Sequence, residues 1–138
     1  MITYIPTVKK NPITKQSKWY AQVAPVKPLQ LEDIAEKIAA SCTVTEHDIK
    51  AVLSALQEQI LFALRDGNSV RLGDVGSFRL TLSSRPCESA EEVKAETIEH
   101  LRVRFTMSSR LRARLTLGQP GVRFVRQGEE EEAEPVEP

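Results

Sequence analysis

Seven arginines, Arg71, Arg79, Arg102, Arg104, Arg110, Arg112 and Arg114, are the side chains whose type and grouping best suit chemistry in this sequence. A guanidinium is a planar fork of donors that meets phosphate bidentately and enters a narrow groove more readily than an ammonium does. From 102 to 128 the chain carries seven Arg and no Lys, Asp or Glu. The chemistry implied is recognition of an anion. The competing reading is an exposed strand face that only needs charge, or arginines paired with the chain's own acids.

Catalysis and metal binding find little support. There is no Gly-x-x-x-x-Gly-Lys phosphate loop, no Gly-x-Ser-x-Gly elbow and no His-Glu-x-x-His, and Gly73 and Gly76 lack the third glycine of a dinucleotide fingerprint. His47 and His100 have no partner at catalytic or metal-ligand spacing and read as surface residues. Cys42 falls on an apolar helix face as a small hydrophobe, and Cys87 sits in a polar stretch, so neither a disulfide framework nor a zinc site is expected. No enzyme activity, cofactor, metal or small-molecule substrate is expected.

Periodicity gives the elements that must position the arginines. Leu31, Ile34, Ala35, Ile38, Ala39 and Cys42 make one stripe of an amphipathic helix, with Glu32 and Asp33 in its first turn where the dipole favours them. Thr45 can cap a second helix, with Asp48 completing an imperfect capping box, and Gly67 stops it. Its stripe is Ile49, Val52, Leu53, Leu56, Ile60 and Leu64, and Phe62 and Ala63 lie beside it. A helix apolar over more than half its circumference needs cover on two sides, and a second copy of the chain is the natural source. A major-groove role for this helix is disfavoured, because Glu46, Asp48 and Glu58 give its outer face the wrong sign.

Ser69–Leu72, Ser77–Leu82 and Leu101–Phe105 read as strands with one apolar face and one face bearing Arg, the pattern of a sheet packed on helices on one side and wet on the other. Gly73-Asp74-Val75-Gly76 joins the first two as a turn. About eighteen polar residues, 83–100, separate the second and third, too long a link for a tight hairpin. A short third helix is expected near 109–117, capped by Ser108 or Ser109 and closed by Gly118. Val122–Arg126 is a candidate last strand, with the N-terminal strand as its candidate partner.

The first thirty residues are basic and β-like, with five Lys and no acid. They suggest an extended arm or a two-stranded hairpin, with a turn at Asn11-Pro12. Trp19 and Tyr20, adjacent on a strand, point to opposite faces, so core packing plus a strand edge fits them better than base stacking. The lysines read as a solvated face. Over the whole chain 19 Lys plus Arg balance 19 Asp plus Glu, but 31–66 sums to −4, 83–101 to −3 and 129–138 to −6. The result is a basic body with an acidic insertion and an acidic tail. The tail is expected to be disordered, and acts either as a screen over the arginines or as a solubiliser. With no long apolar span or secretory signal, a soluble cytoplasmic protein is expected, with no membrane partner.

The order helix, short turn, long helix, strand, Gly-rich turn, strand, long arm, strand, short helix over 31–117 resembles the HU/IHF family of bacterial DNA-binding proteins. Gly67-Asn68-Ser69-Val70-Arg71-Leu72-Gly73-Asp74-Val75-Gly76-Ser77-Phe78 is similar to the family's turn-strand-Gly-x-Phe segment, and Arg102-Val103-Arg104-Phe105 to its returning strand. The flanks look like those of a longer, HU-related subgroup. The resemblance implies an α+β fold: a two-helix hairpin base, an antiparallel three-stranded sheet with an extended β-arm, a short C-terminal helix and extra terminal strands. The corresponding division is 1–30 as a basic extension, 31–117 as the HU-like domain, 118–127 as a further strand and 128–138 as the acidic tail.

It also implies a homodimer built on Leu53, Leu56, Ile60, Phe62, Leu64, Phe78 and Phe105, binding and bending double-stranded DNA in the nucleoid with little sequence preference. Arm residues Arg85, Pro86 and Lys94 join the seven arginines as implied DNA contacts. Two departures stand out. The family's basic Arg-Asn-Pro-x-Thr-Gly tip is replaced by an acidic segment, Glu88 to Glu96, and its Pro-Gly-Lys by Met107-Ser108-Ser109. The alternative is an HU-fold scaffold or protein-interaction module with weak or lost DNA binding; a single-strand or RNA binder ranks third.

Overall fold

The computed structural model describes residues 1–129 and divides into two compact units, Leu29–Arg114 and the residues on either side of it. The expected disorder of the tail concerns residues that, from 130 on, lie outside the described ones.

In the larger unit, α1 (Leu31–Ser41) and α2 (Glu46–Arg65) are followed by β3 (Val70–Leu72), β4 (Gly76–Ser84), β5 (Ile98–Met107) and α3 (Ser109–Arg114). The Gln30 N–H donates to Asp33 Oδ2 (2.8 Å) at the start of α1. Thr45 Oγ1 accepts from the Asp48 N–H (3.3 Å) at the start of α2. At its far end Gly67, at φ 84°, lets the chain reverse, so that its own N–H donates to Leu64 O (3.0 Å) and that of Asn68 to Ala63 O (2.9 Å). These bonds satisfy carbonyls the helix itself cannot.

The sheet is antiparallel in the order β3-β4-β5. A Cβ on Gly76 would be driven into the Thr106 carbonyl and the Phe105 ring, so glycine lets β4 and β5 approach there. Both long strands exceed the sequence expectation, because pairing continues to Ser84 opposite Ile98, with an irregularity between Ser83 and Ser84. Beyond that point the acidic segment is not strand. It folds into two single 3-10 turns, Ala90–Glu92 and Ala95–Thr97. Thr97 is buried, its hydroxyl donates to Lys94 O (2.7 Å), and the Arg85 N–H closes the loop onto Thr97 O (3.0 Å). The third helix is shorter than the expected 109–117: Leu115 and Leu117 are exposed and give a longer helix nothing to pack on.

In the smaller unit β1 (Ile2–Lys10) and β2 (Ser17–Val23) form an antiparallel hairpin, and β6 (Phe124–Arg126) pairs in parallel with the start of β1, giving the order β2-β1-β6. Trp19 and Tyr20 do take opposite faces, but neither is in a core: they are 69% and 49% exposed. Among the described residues, the buried apolar side chains of both units are Ala24, Ala35, Ile49 and Leu64. So small an interior leaves most of the amphipathic stripes of the sequence uncovered within one chain.

Candidate nucleic-acid interface

Side chains of directly paired residues in an antiparallel sheet share a face, and alternate residues change face. The register opposes Val70 to Phe78, Phe78 to Phe105, Leu80 to Val103 and Leu82 to Leu101. One face is therefore apolar, and the Phe78 and Phe105 rings meet at 5.1 Å between centroids. The other face carries Arg71 opposite Ser77, Ser77 opposite Thr106, Arg79 opposite Arg104, Thr81 opposite Arg102 and Ser83 opposite His100. It holds four arginines, a histidine and small hydroxyl residues, with no acid at any paired position.

Like charges directly opposite one another on a sheet are unfavourable. Ion pairs among the described residues join Lys50 to Glu46 (3.1 Å) and Arg110 to Asp74 (2.7 Å), and neither involves Arg71, Arg79, Arg102 or Arg104. The four arginines are exposed and offer fork-shaped donors of the kind that suit a polyanion, while the Ser83 hydroxyl at the end of the row is buried without a partner.

The remaining candidate cations lie apart from this row. Arg110 already bonds the Asp74 carboxylate, and the Ser108 hydroxyl bonds the Asp74 carbonyl, so the β3–β4 turn is tied to the start of α3. Ser108 Oγ also accepts from the Leu111 N–H (3.1 Å), fulfilling the expected cap. Arg71, Ser77, Thr106 and Ser108 line a hollow of about 360 Å³ at this end of the sheet. At the other end, past the last strand pair, Arg85, Pro86 and Lys94 line a separate hollow of about 430 Å³ together with Glu92 and Glu96. Arg112 and Arg114 follow on α3. Sequence reasoning missed His100 and the hydroxyl residues Ser77, Thr81 and Thr106 as members of the row; the alternation that located the arginines carried that signal too.

The residues expected at a dimer interface differ in what they do within one chain. Leu64 is buried in the chain's own core, and Leu53, Ile60 and Phe78 are half-buried. Leu56, Phe62 and Phe105 are exposed, the last two by 48% and 49%. Leu82, Leu101 and Val103 extend the open apolar face along the sheet. Among the described residues no group of His, Cys, Asp and Glu could hold a metal ion, and no helix is long and apolar enough to cross a membrane.

No curated protein matches the sequence. Among solved structures, the chain is similar to a Bacteroides vulgatus protein provisionally described as a bacterial DNA-binding protein (TM-score 0.63, 17% identity), over 94% of this chain and 49% of that one. It thus spans about half the length of that relative. It is also similar to HU of Anabaena in a cocrystal with DNA (TM-score 0.51, 20% identity), over 64% of this chain and 99% of that one. At these identities the likeness is one of fold. A family model, HU-HIG, described as an HU domain fused to wHTH, Ig, or Glycine-rich motif, matches residues 2–119, and the chain belongs to that family.

Proposed function

We propose that this protein binds double-stranded DNA, without catalysis and with little sequence preference, through the arginine face of the β3-β4-β5 sheet, and that it organises DNA in the nucleoid as a homodimer. The observation that carries the reading is the opposition of Arg79 and Arg104 in a row with Arg71 and Arg102 that contains no acid. Phosphates between the guanidinium groups would relieve their repulsion, so the face is better suited to the bound state than to the free one. The DNA-bound Anabaena HU of similar fold and the family membership support it.

The homodimer is supported by the apolar surface left open on α2 and on the sheet, which includes Phe62, Phe105, Leu101 and Val103. A second copy would bring matching surface to it. Arg85, Pro86, Lys94, Arg110, Arg112 and Arg114 are proposed as flanking contacts.

The test is fluorescence-anisotropy binding to a duplex of about 30 base pairs, intact and nicked, across a salt series. Four arginines per protomer on phosphates should contribute about −3.6 per protomer to the slope of log affinity on log salt. Absence of binding to either duplex at low salt would exclude the reading. It would favour a scaffold or protein-interaction module, for which the acidic tip at Glu88, Glu91, Glu92 and Glu96 is the supporting feature.

A further inference from the structure

The β1–β2 hairpin has a charged face that the sheet arginines do not explain. Its register sets Lys9 directly opposite Lys18, on the same face as Thr7 opposite Tyr20 and Ile5 opposite Gln22. Two lysines are thus set opposite one another on neighbouring strands, with Lys9 Nζ over the Tyr20 ring, 5.5 Å from its centroid. The sequence from 1 to 30 contains no acid to neutralise them. Lys10 ends β1, and Lys15 sits in the connecting turn.

The turn itself is ordered by Asn11, whose Oδ1 accepts from the Ile13 N–H (2.9 Å) while its backbone exchanges bonds with Lys15 and Gln16. That arrangement holds Ile13 outward, 90% exposed. Lys15 has φ 57°, where glycine or asparagine is at ease and a lysine costs about 1 kcal/mol. Lys9, Lys10, Lys18, Tyr20 and the tip residues Pro12 and Ile13 line a hollow of about 580 Å³.

We propose that the β1–β2 hairpin is a second duplex-DNA contact, a ribbon whose Lys9, Lys10, Lys15 and Lys18 bind backbone phosphates while Ile13 meets the groove floor. The identity of the anion rests on the duplex-DNA reading of the sheet; the contact itself is a separate one. A two-stranded ribbon has the width that a duplex groove admits. An anionic membrane is the less suitable partner. Lys9 and Lys18 share a face with Ile5, Thr7, Tyr20 and Gln22, whereas Val8, Trp19 and Val23 lie on the opposite face with Lys10 at its end. Lipid would need cations around the border of the apolar face; Lys10 lies there, but Lys9 and Lys18 lie behind it.

The experiment uses the full chain with two sets of substitutions at exposed positions, their folding checked by circular dichroism. One set is Lys9→Gln, Lys10→Gln, Lys15→Gln and Lys18→Gln; the other is Arg79→Gln, Arg102→Gln and Arg104→Gln. Binding to the 30-base-pair duplex is measured across salt, with phosphatidylglycerol vesicles as a parallel probe. We expect the lysine set to weaken duplex binding at least tenfold near 0.1 M salt and to flatten the slope by about 0.9 per lost contact, with the arginine set adding its own loss. Ile13→Ala should weaken binding a few-fold at unchanged slope. A lysine set that matches the parent in affinity and slope, while the arginine set does not, overturns the hairpin contact and leaves the sheet reading standing. Loss of vesicle binding with duplex binding intact overturns it in favour of lipid. A parent protein that binds no duplex overturns both.

Discussion

Arg79 on β4 stands directly opposite Arg104 on β5, with no acid at the paired positions of their face of the sheet. A free protein would be more stable without one of them, so the pair has a cost in stability that only a bound anion offsets. Arg79→Gln should raise the stability of the free protein by about 0.2–1 kcal/mol. It should also weaken duplex binding and flatten the salt slope by about 0.9. Chemical denaturation and anisotropy on the same preparation give both readings, and a variant that loses stability would show the arginines to be tied into the fold instead.

The open apolar surface around Phe62 and Phe105 makes folding concentration-dependent if two chains share it. The denaturation midpoint of the parent should therefore rise with protein concentration. Phe62→Glu should abolish that rise and yield a monomer or an unfolded chain in sedimentation. Gln59→Glu on the same helix should sediment as the parent does. A midpoint independent of concentration over about a hundredfold range would argue for a monomer.

Lys15 separates charge from backbone comfort in one side chain. Lys15→Gly should stabilise the hairpin by about 1 kcal/mol, since glycine adopts φ 57° without a Cβ penalty, and should at the same time lower duplex affinity. Thermal unfolding and binding thus move in opposite directions. If both improve, the lysine has no role in binding.

Removal of the acidic residues after Gly128 should tighten duplex binding at low salt, if the six glutamates compete with phosphates for the arginines. The difference should fade as salt rises. Equal affinities at equal salt would assign the tail to solubility.

Much of this arrangement is written in local pattern. Thr45 and Gly67 bound α2 through a hydroxyl cap and a positive φ, both readable from residue type. The alternation of Arg with Leu, Val and Phe in 77–82 and 101–105 is enough to separate a charged face from an apolar one. The opposition of Arg79 to Arg104 is not local, because it depends on how the chain between them closes the ribbon. The tip is equally illegible in sequence: its polar composition shows only a link too long for a tight hairpin, whereas burial of Thr97 and its bonds to Lys94 and Arg85 close it into a loop. The lysines of β1 and β2 read as a solvated face because only the register brings Lys9 beside Lys18.

The Arg85 to Thr97 bond closes the tip with a backbone link at its base. Among the eleven residues between those two positions, the Glu88 N–H donates to Glu92 and the Glu92 and Val93 N–H groups donate to Ser89 O and Ala90 O, and the sheet below reaches the pair Ser84 and Ile98 through an irregularity at Ser83. Such a closure behaves as a socket. Substitutions or length changes between 86 and 96 can alter the sign of charge displayed there while the strands beneath keep their register. Evolution can therefore vary what the tip meets independently of what the sheet meets, and a protein engineer can exchange the tip as a cassette.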